Sequence, residues 1–371
     1  MTVQVTGIGM HPFGRFDDRT VTDMGVTAVQ AALADAGGPR LDAAFCGTAY
    51  SGVAAGHRVL GKLARTGIPI VDVEAGCASG AAALSLAAGA IRAGQYDCVL
   101  VFGMEKMPKG MIRSSFFEPW QEQAGLTPAP AYFALRAQRL MSEADLTKDD
   151  LAAVVVKNRA NGVHNPHAMF RKPVTAAEVL ASRVVCEPLH LWMLCSPNEG
   201  AAAVVLRRGI DGIQLRATCL RSHLPGSVLA ESTPMAGIDD RDIIPPSALA
   251  ANDAYEAAGI GPDDLDVVEC QDTDAARELL TYEELQLCAP GEQTSLLRSG
   301  SVELGGHRPV NPSGGLLSKG EPLGASAIGQ VVELVLQLRG EAEARQVAGA
   351  RTALAHTVGR GANASAVILS R

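Results

Sequence analysis

Val71-Asp-Val-Glu-Ala-Gly-Cys77-Ala-Ser79-Gly80 leads into a run of small residues that ends near Ala93. The stretch reads as a buried strand over Ile68–Glu74, a tight turn, and a helix over Cys77–Ala93 that starts at the cysteine. A thiol at a helix N-terminus sits in the positive end of the helix dipole, which favours thiolate over thiol and makes a nucleophile. A free cysteine merely buried in a strand-to-helix turn leaves the same local sequence. The surrounding chain separates the two readings.

Strand and helix patterns alternate on both sides of this segment. Upstream, Val3–Gly9 reads as a strand, Val21–Ala36 as a helix closed by Gly37-Gly38, and Ala43–Thr48 as a short strand. Downstream, Cys98–Gly103 and Ala201–Arg207 read as strands. Between them Glu105–Arg183, with its prolines, aromatics and charges, has the character of an insertion with its own helices. A second cycle comprises strand Ile213–Arg221, helix Ser247–Ala258, strand Val267–Gln271, helices Arg277–Leu287 and Ala325–Arg339, and strands Thr352–His356 and Ala364–Ser370. Such alternation predicts an α/β fold with a largely parallel sheet covered by helices on both faces.

The strand, Gly-rich turn and small-residue helix of Val71–Ala93 recur at Val310–Leu338, with Asn311-Pro-Ser-Gly314-Gly315 as the turn. The chain therefore reads as a duplicated α/β unit. Its expected halves are residues 1–208, carrying the insertion at about 105–183, and residues 212–371. The helix Ala78–Ala93 has almost no polar face, the mark of full burial. One such helix from each half, packed between two sheets, gives five layers, α-β-α-β-α, with the cysteine turn near the centre.

The 371 residues are 47% hydrophobic but only 4% aromatic, so the core is built from Ala, Val, Leu and Ile. A net charge of −8 without a Lys/Arg-rich run argues against nucleic acid as the main partner. The eight cysteines are scattered and include no C-x-x-C pair. They read as reduced core residues of a cytoplasmic protein, with no metal site expected. The N-terminus reads as a first strand rather than a signal peptide. The apolar run Ala81–Ala90 falls short of the ~20 residues of a membrane span.

Four loops carry reactive or Gly-rich elements, each at the carboxyl end of a strand or the start of a helix, where α/β folds gather ligands. They are Cys77-Ala78-Ser79, Glu269-Cys270-Gln271-Asp272-Thr273-Asp274, Gly320-Glu321-Pro322-Leu323-Gly324, and His356-Thr-Val-Gly359-Arg-Gly361. Each has a plainer reading. Glu321 can cap the helix after it, Asp272 and Asp274 the helix Arg277–Leu287, and His356 can be a core histidine. His164 and His167, flanking Asn165-Pro166, lie at a loop that can line a substrate entrance.

Taken together these motifs resemble the thiolase superfamily, and within it the sterol-carrier-protein-type (lipid-transfer) thiolases. Cys77-Ala-Ser79 matches the family's C-x-S nucleophile loop, and Asp97-Cys-Val-Leu-Val-Phe-Gly103-Met-Glu105-Lys106-Met follows as expected. Val156-Lys-Asn158, Asn165-Pro-His-Ala-Met-Phe-Arg171-Lys-Pro, Leu180-Ala-Ser-Arg183, Cys195-Ser-Pro-Asn-Glu-Gly200-Ala and Glu278-Leu-Leu-Thr-Tyr-Glu283 match the subfamily in detail. Asn311-Pro-Ser-Gly-Gly-Leu-Leu-Ser-Lys-Gly320 leads into the family's G-H-P loop. The resemblance implies a duplicated thiolase-like five-layer fold, a homodimer or dimer of dimers, and acyl-CoA substrates. Coenzyme A then serves as substrate or product, with no permanently bound cofactor. Some relatives work only with a small OB-fold, zinc-ribbon companion protein.

The departures from the family pattern matter equally. The G-H-P histidine is Glu321 here, the N-E-A-F or H-D-x-F loop is Gln271-Asp-Thr-Asp274, and the C-x-G cysteine is His356. An ionised Glu321 cannot donate a hydrogen bond, but it can accept a thiol proton or take a proton alpha to a thioester. The expected catalytic set is Cys77, His356 and Glu321, with Gln271 and the Gly359 backbone as oxyanion donors. Arg171 and Lys172 are candidate CoA phosphate contacts, on residue type alone. The expected activity is thiolytic cleavage of a 3-ketoacyl-CoA, or a related acyl transfer or Claisen condensation, through an acyl-cysteine. The alternatives are a retro-aldolase acting on β-hydroxyacyl-CoA, which needs no cysteine, and a non-catalytic acyl-CoA-binding subunit.

Overall fold

This computed structural model describes residues 1–110, 119–125, 128–224, 243–359 and 363–371. The first half begins with β1 (Val3–Gly14), α1 (Val21–Asp35), β2 (Ala43–Gly47), α2 (Ala55–Lys62), β3 (Ile70–Val73), α3 (Ser79–Arg92) and β4 (Cys98–Lys106). The inserted region holds α4 (Pro119–Gln123), α5 (Ala129–Glu143), α6 (Lys148–Gly162), α7 (Ala176–Ala181) and a hairpin of β5 (Val184–Cys186) and β6 (Leu189–His190). β7 (Glu199–Arg208) closes this half. The second half comprises β8 (Ile213–Arg221), α8 (Pro246–Ala258), β9 (Val267–Glu269), α9 (Ala275–Glu284), α10 (Gln293–Arg298), α11 (Gly315–Lys319), α12 (Leu323–Arg339), β10 (Thr352–Val358) and β11 (Ala364–Ser370).

Among the described residues one nine-stranded sheet runs β3-β2-β4-β7-β1-β8-β11-β10-β9. Its two halves carry the same winding. In the first, the strands counted in chain order are β1, β2, β3, β4 and β7, and they lie 3-2-4-5-1. In the second, Val310 bridges Val268 in parallel and serves as a third short strand, so the order reads 1-5-4-2-3, the same arrangement reversed. The halves meet through β1 and β8, at Gln4↔Gln214 and Val5↔Ile213.

The sheet is mixed rather than largely parallel. The pairs β2–β3, β2–β4 and β9–β10 are parallel, whereas β4–β7, β7–β1, β1–β8, β8–β11 and β11–β10 are antiparallel. Hairpin-type connections such as β10–β11 impose the antiparallel sense, and alternation of strand and helix in the sequence does not report it.

Three apolar clusters define the layers. One joins α1 and α2 to the outer face of the first half-sheet. A second joins α3 and α12 to residues of both half-sheets. A third joins α8, α9 and the inserted helices α5 and α6 to the far face of the second half-sheet. α3 and α12 therefore lie against each other between the half-sheets, the centre of a five-layer α-β-α-β-α fold. Small residues permit this closeness: a Cβ on Gly103 would stand 1.9 Å from the carbonyl oxygen of Gly324 at the start of α12.

Two local expectations need correcting. β3 is the sheet edge, not a buried strand, and Val71 is 42% exposed. α3 is not buried all round, because Leu86 on its outer side is 52% exposed. Both follow from the edge position of β3, which leaves one flank of the central layer without a neighbouring strand.

Candidate active site

Cys77 sits in a single 3₁₀ turn, Gly76–Ala78, between β3 and α3, so the α-helix starts at Ser79 rather than at the cysteine. Ser79 locks this turn. Its hydroxyl accepts the Ala75 N–H at 2.9 Å and donates to the Gly76 carbonyl at 2.6 Å. Gly76, at φ +59°, supplies the left-handed residue that the bend requires. The spacing of cysteine and serine is thus structural as well as chemical, since the serine fixes the backbone that presents the sulfur. Cys77 is buried, and the N-terminus of α3 is directed at it.

Glu321 precedes α12 much as Cys77 precedes α3, and the cysteine turn packs against α12. Two helix N-termini thereby converge on one place. Glu321 does not cap α12, whose N-cap is Pro322 without a side-chain bond. Its carboxylate instead accepts the Gln271 side-chain amide at 2.6 Å and the Cys195 thiol at 3.3 Å. Gln271 is oriented by the Val358 N–H, which donates to its Oε1. The backbone holds the same contact: Glu321 N–H donates to the Ser196 carbonyl at 2.9 Å, and Pro197 bridges Glu321 in parallel. Burial first, and the Glu321 charge second, push the Cys195 thiol well above its ordinary range, so it is a proton donor at neutral pH.

A buried polar network fixes the loops beneath. Asp272 accepts the N–H groups of Leu316 and Leu317 at 2.6 and 3.1 Å and so caps α11, while Asp274 accepts the Arg277 N–H and caps α9. Only Asp274, then, caps the helix expected for both. Glu278 receives Asn158, Asn311 and Tyr282 at 2.7, 2.7 and 2.6 Å, and Lys157 pairs with it at 2.9 Å. Lys319, two residues before Glu321, pairs with Glu269 at 3.1 Å. On the other wall, Glu105 accepts the N–H groups of Ala49 and Tyr50 at 2.8 and 3.1 Å and shapes the loop after β2. Burial raises the Glu105 pKa against those bonds.

These elements enclose a cavity of about 1320 Å³ lined by Cys77, Glu321 and Cys195, with Tyr132, Phe133, Phe170 and Trp192 among its apolar walls. His356 is not among the lining residues. It is fully buried on β10, with neither ring nitrogen hydrogen-bonded among the described residues, and burial, then the Arg277 charge, drive its pKa well below the usual value. Position along the strand explains the placement, since Val358, on the same face and two residues further on, does line the cavity. Thr357 bonds Gln330 of α12, whereas Leu354 and Val358 join the cluster on the opposite face, which His356 shares.

Gln271 meets the site through Glu321 and does not line the cavity. The Gly359 N–H donates to the Asn363 carbonyl at 2.9 Å. Its missing side chain matters more, since a Cβ there would stand 2.3 Å from the Ala75 carbonyl oxygen in the cysteine turn. Arg360 and Gly361 of that loop lie outside the described residues. His164 and His167 do not line the cavity, whereas Arg171 and Lys172 do, both exposed.

The thiolase N-terminal domain family matches residues 3–187, and the thiolase C-terminal domain-like family matches residues 232–371. The acetyl-CoA acetyltransferase of Methanothermobacter thermautotrophicus is 37% identical over 100% of this chain and 99% of its own. The chain belongs to the thiolase family. Sterol carrier protein 2 of Bos taurus is 36% identical over 97% of this chain and 70% of that protein. The benzoylsuccinyl-CoA thiolase subunit BbsB of Thauera aromatica is 34% identical over 98% and 96%. Among solved structures, that of the Ltp2-ChsH2(DUF35) aldolase shares the fold at a TM-score of 0.86 and 24% identity, covering 100% of this chain and 97% of the other.

Within this thiolase, tertiary contacts add cavity residues that sequence patterns leave without a role. Cys195 reaches Glu321 across 126 residues of sequence, and no local signal announces the pairing. Arg136, on α5, enters the wall and pairs with Asp274 at 2.6 Å. Arg159, on α6, enters it stacked on Phe170, with its guanidinium carbon 4.0 Å from the ring centre. No helix among the described residues is long and apolar enough to cross a membrane.

Proposed function

We propose that this thiolase-family acyltransferase forms and breaks carbon–carbon bonds of acyl-CoA through an acyl-thioester on Cys77. The supporting observation is the meeting of Cys77, Glu321 and Cys195 in one large cavity, at the converging N-termini of α3 and α12. In the acylation step Glu321 accepts the Cys77 proton and the sulfur attacks the thioester carbonyl. The carbon–sulfur bond to CoA then breaks, and the departing CoA sulfur takes a proton from the Cys195 thiol. Glu321 then passes the proton it holds to the Cys195 thiolate across their hydrogen bond, which restores both groups, and for condensation it removes the alpha proton of a second acyl-CoA. The resulting carbanion attacks the acyl-Cys77 carbonyl, a carbon–carbon bond forms, the carbon–sulfur bond to Cys77 breaks, and the departing Cys77 sulfur takes the proton that Glu321 holds. Thiolysis is the same path reversed.

Gln271 is a positioning residue in this scheme, since it holds the Glu321 carboxylate and is itself held by Val358. His356 and Gly359 support the loop behind the cysteine turn rather than touch the reacting atoms. Arg171, Lys172 and Arg183 are exposed at the cavity, form no ion pair among the described residues, and suit the phosphates of CoA. The edge strand β3, with Val71 and Leu86 open beside it, supports a homodimer built across that edge. A small companion protein remains part of the proposal, because one relative is named as a subunit and one fold neighbour is named Ltp2-ChsH2(DUF35) aldolase.

The test is intact mass after incubation with short and long acyl-CoAs, with Cys77→Ala as control. An acyl adduct that disappears in Cys77→Ala is expected. No adduct with any acyl-CoA, partner present or absent, would sink the covalent mechanism. Cleavage of a β-hydroxyacyl-CoA by Cys77→Ala would replace it with the retro-aldolase.

A further inference from the structure

Six cationic side chains are buried among the described residues: Lys157, Arg159, Arg277, Arg308, Lys319 and Arg345. Five of them have a carboxylate. Lys157 pairs with Glu278, Arg277 with Glu284, Arg308 with Asp263, Lys319 with Glu269 and Arg345 with Glu333. Arg159 has none among the described residues, although it is only 7% exposed. Its Nε is buried without a hydrogen-bond partner among the described residues. Its guanidinium lies over the face of Phe170, which fixes its plane and leaves its edge donors without an acceptor among the described residues. Desolvation without a compensating anion draws its pKa down to about 10, so the group still carries its charge at neutral pH.

A buried, unpaired charge is costly and persists where a partner arrives from outside. Arg159 lines the same cavity as Cys77 and Glu321, so an anion held there is part of whatever occupies that cavity. Its neighbour Arg136 offers the contrast, because that guanidinium is already committed to Asp274. The phosphates of CoA have more suitable partners in the exposed Arg171, Lys172 and Arg183. Arg159 instead sits among the apolar walls beside Met169 and Phe170, the kind of surface that takes the acyl portion.

We propose that Arg159 binds a carboxylate on the acyl chain, and that the preferred substrates are acyl-CoAs of dicarboxylic acids. The planar guanidinium, stacked on the face of Phe170, grips the distal carboxylate with its edge in bidentate fashion while the thioester end lies toward Cys77. This rests on the acyl-CoA reading of the cavity given above, and it adds the chemical class of the acyl group.

The experiment compares succinyl-CoA with butyryl-CoA, a four-carbon pair that differs at the distal group and shares the whole of CoA. Binding is measured by calorimetry in a Cys77→Ala background, where no acyl transfer to that residue can occur. With Arg159 in place, succinyl-CoA is expected to bind about 10- to 100-fold tighter, the range for a hydrogen-bonded charge. Arg159→Gln should bring the ratio to within about twofold, and Arg159→Lys should retain part of the preference. Equal affinities with Arg159 in place would overturn the proposal. So would equal weakening of both esters by Arg159→Gln, which would place the guanidinium on CoA itself. If Arg159→Gln fails to fold, by near-ultraviolet circular dichroism, the ratio with Arg159 intact and its change in Arg159→Lys still decide. Because binding is read without acylation, the absence of a Cys77 adduct in wild-type protein would refute the covalent mechanism and leave this result standing. Equal binding beside a normal adduct would do the reverse.

Discussion

Replacing Glu321 by glutamine isolates the charge at the centre of the proposed chemistry. The carboxylate accepts from Gln271 at 2.6 Å and from the Cys195 thiol at 3.3 Å, and it is only 6% exposed. Gln271 cannot turn over without losing the bond its Oε1 takes from the Val358 N–H. The new amide must therefore offer its oxygen to Gln271 and its NH2 group to Cys195, whose sulfur is a weak acceptor. One charged hydrogen bond becomes neutral and the other reverses its direction. The expected loss of stability is about 1–2 kcal/mol, small enough for the fold to survive. The loss of rate is of another order, since removal of a general base costs about 10²–10⁴-fold. Glu321→Gln should therefore melt within several degrees of wild type while acylation of Cys77 by acyl-CoA, followed by quenched-flow intact mass, slows by at least about a hundredfold. An acylation rate within about threefold of wild type, in a folded protein, would refute the assignment of Glu321 as base and move the search to another proton acceptor in the cavity.

Ser79→Ala leaves the Ala75 N–H without its present partner in a buried turn, while the Gly76 carbonyl keeps the residue-79 N–H, at a cost of about 1–3 kcal/mol. Both a lower melting temperature and slower Cys77 acylation are expected, and an unchanged acylation rate would show that the turn holds its shape without the serine. Stability should also fall at both ends of the pH scale, as followed by urea unfolding. Cys46, Cys195 and Cys270 are raised well above 9.0, chiefly by burial, so above pH 9.0 the unfolded chain loses protons that the folded one keeps and stability declines as pH rises. His356 is lowered well below 6.5, chiefly by burial, so below pH 6.5 the unfolded chain binds a proton that the folded one refuses and stability declines as pH falls. In a His356→Asn variant that acid limb should shrink, and an unaltered limb would assign it to other groups.

Much of the architecture was legible before any coordinates. The hydrophobic runs of β8 and β11, bounded by turn residues, set those strands at Ile213–Arg221 and Ala364–Ser370, and the repeated strand–turn–helix unit set the duplication and the layers. The short helices α2, α10 and α11 escaped, because a turn or two of helix carries too little periodicity to stand out. The exposure of β3 also escaped, since an apolar edge strand and an apolar central strand have the same local sequence.

For the site, the chain by itself determined the chemistry available: a thiol at a helix start, a carboxylate just before a second helix, and a glutamine in the loop between them in sequence. Those are properties of side chains and short spacings, and they survive any detail of folding. Only the tertiary structure decided which groups share a cavity. Strand alternation turns His356 to the face that Leu354 and Val358 share, and its place two residues short of Val358 keeps it from the cavity that Val358 lines. The bridge between Pro197 and Glu321 carries Cys195 to the carboxylate from the other half of the chain. Burial then makes Cys195 a donor and leaves Arg159 a cation without a counter-charge among the described residues, because desolvation and the company of other charges exist only once the layers have closed.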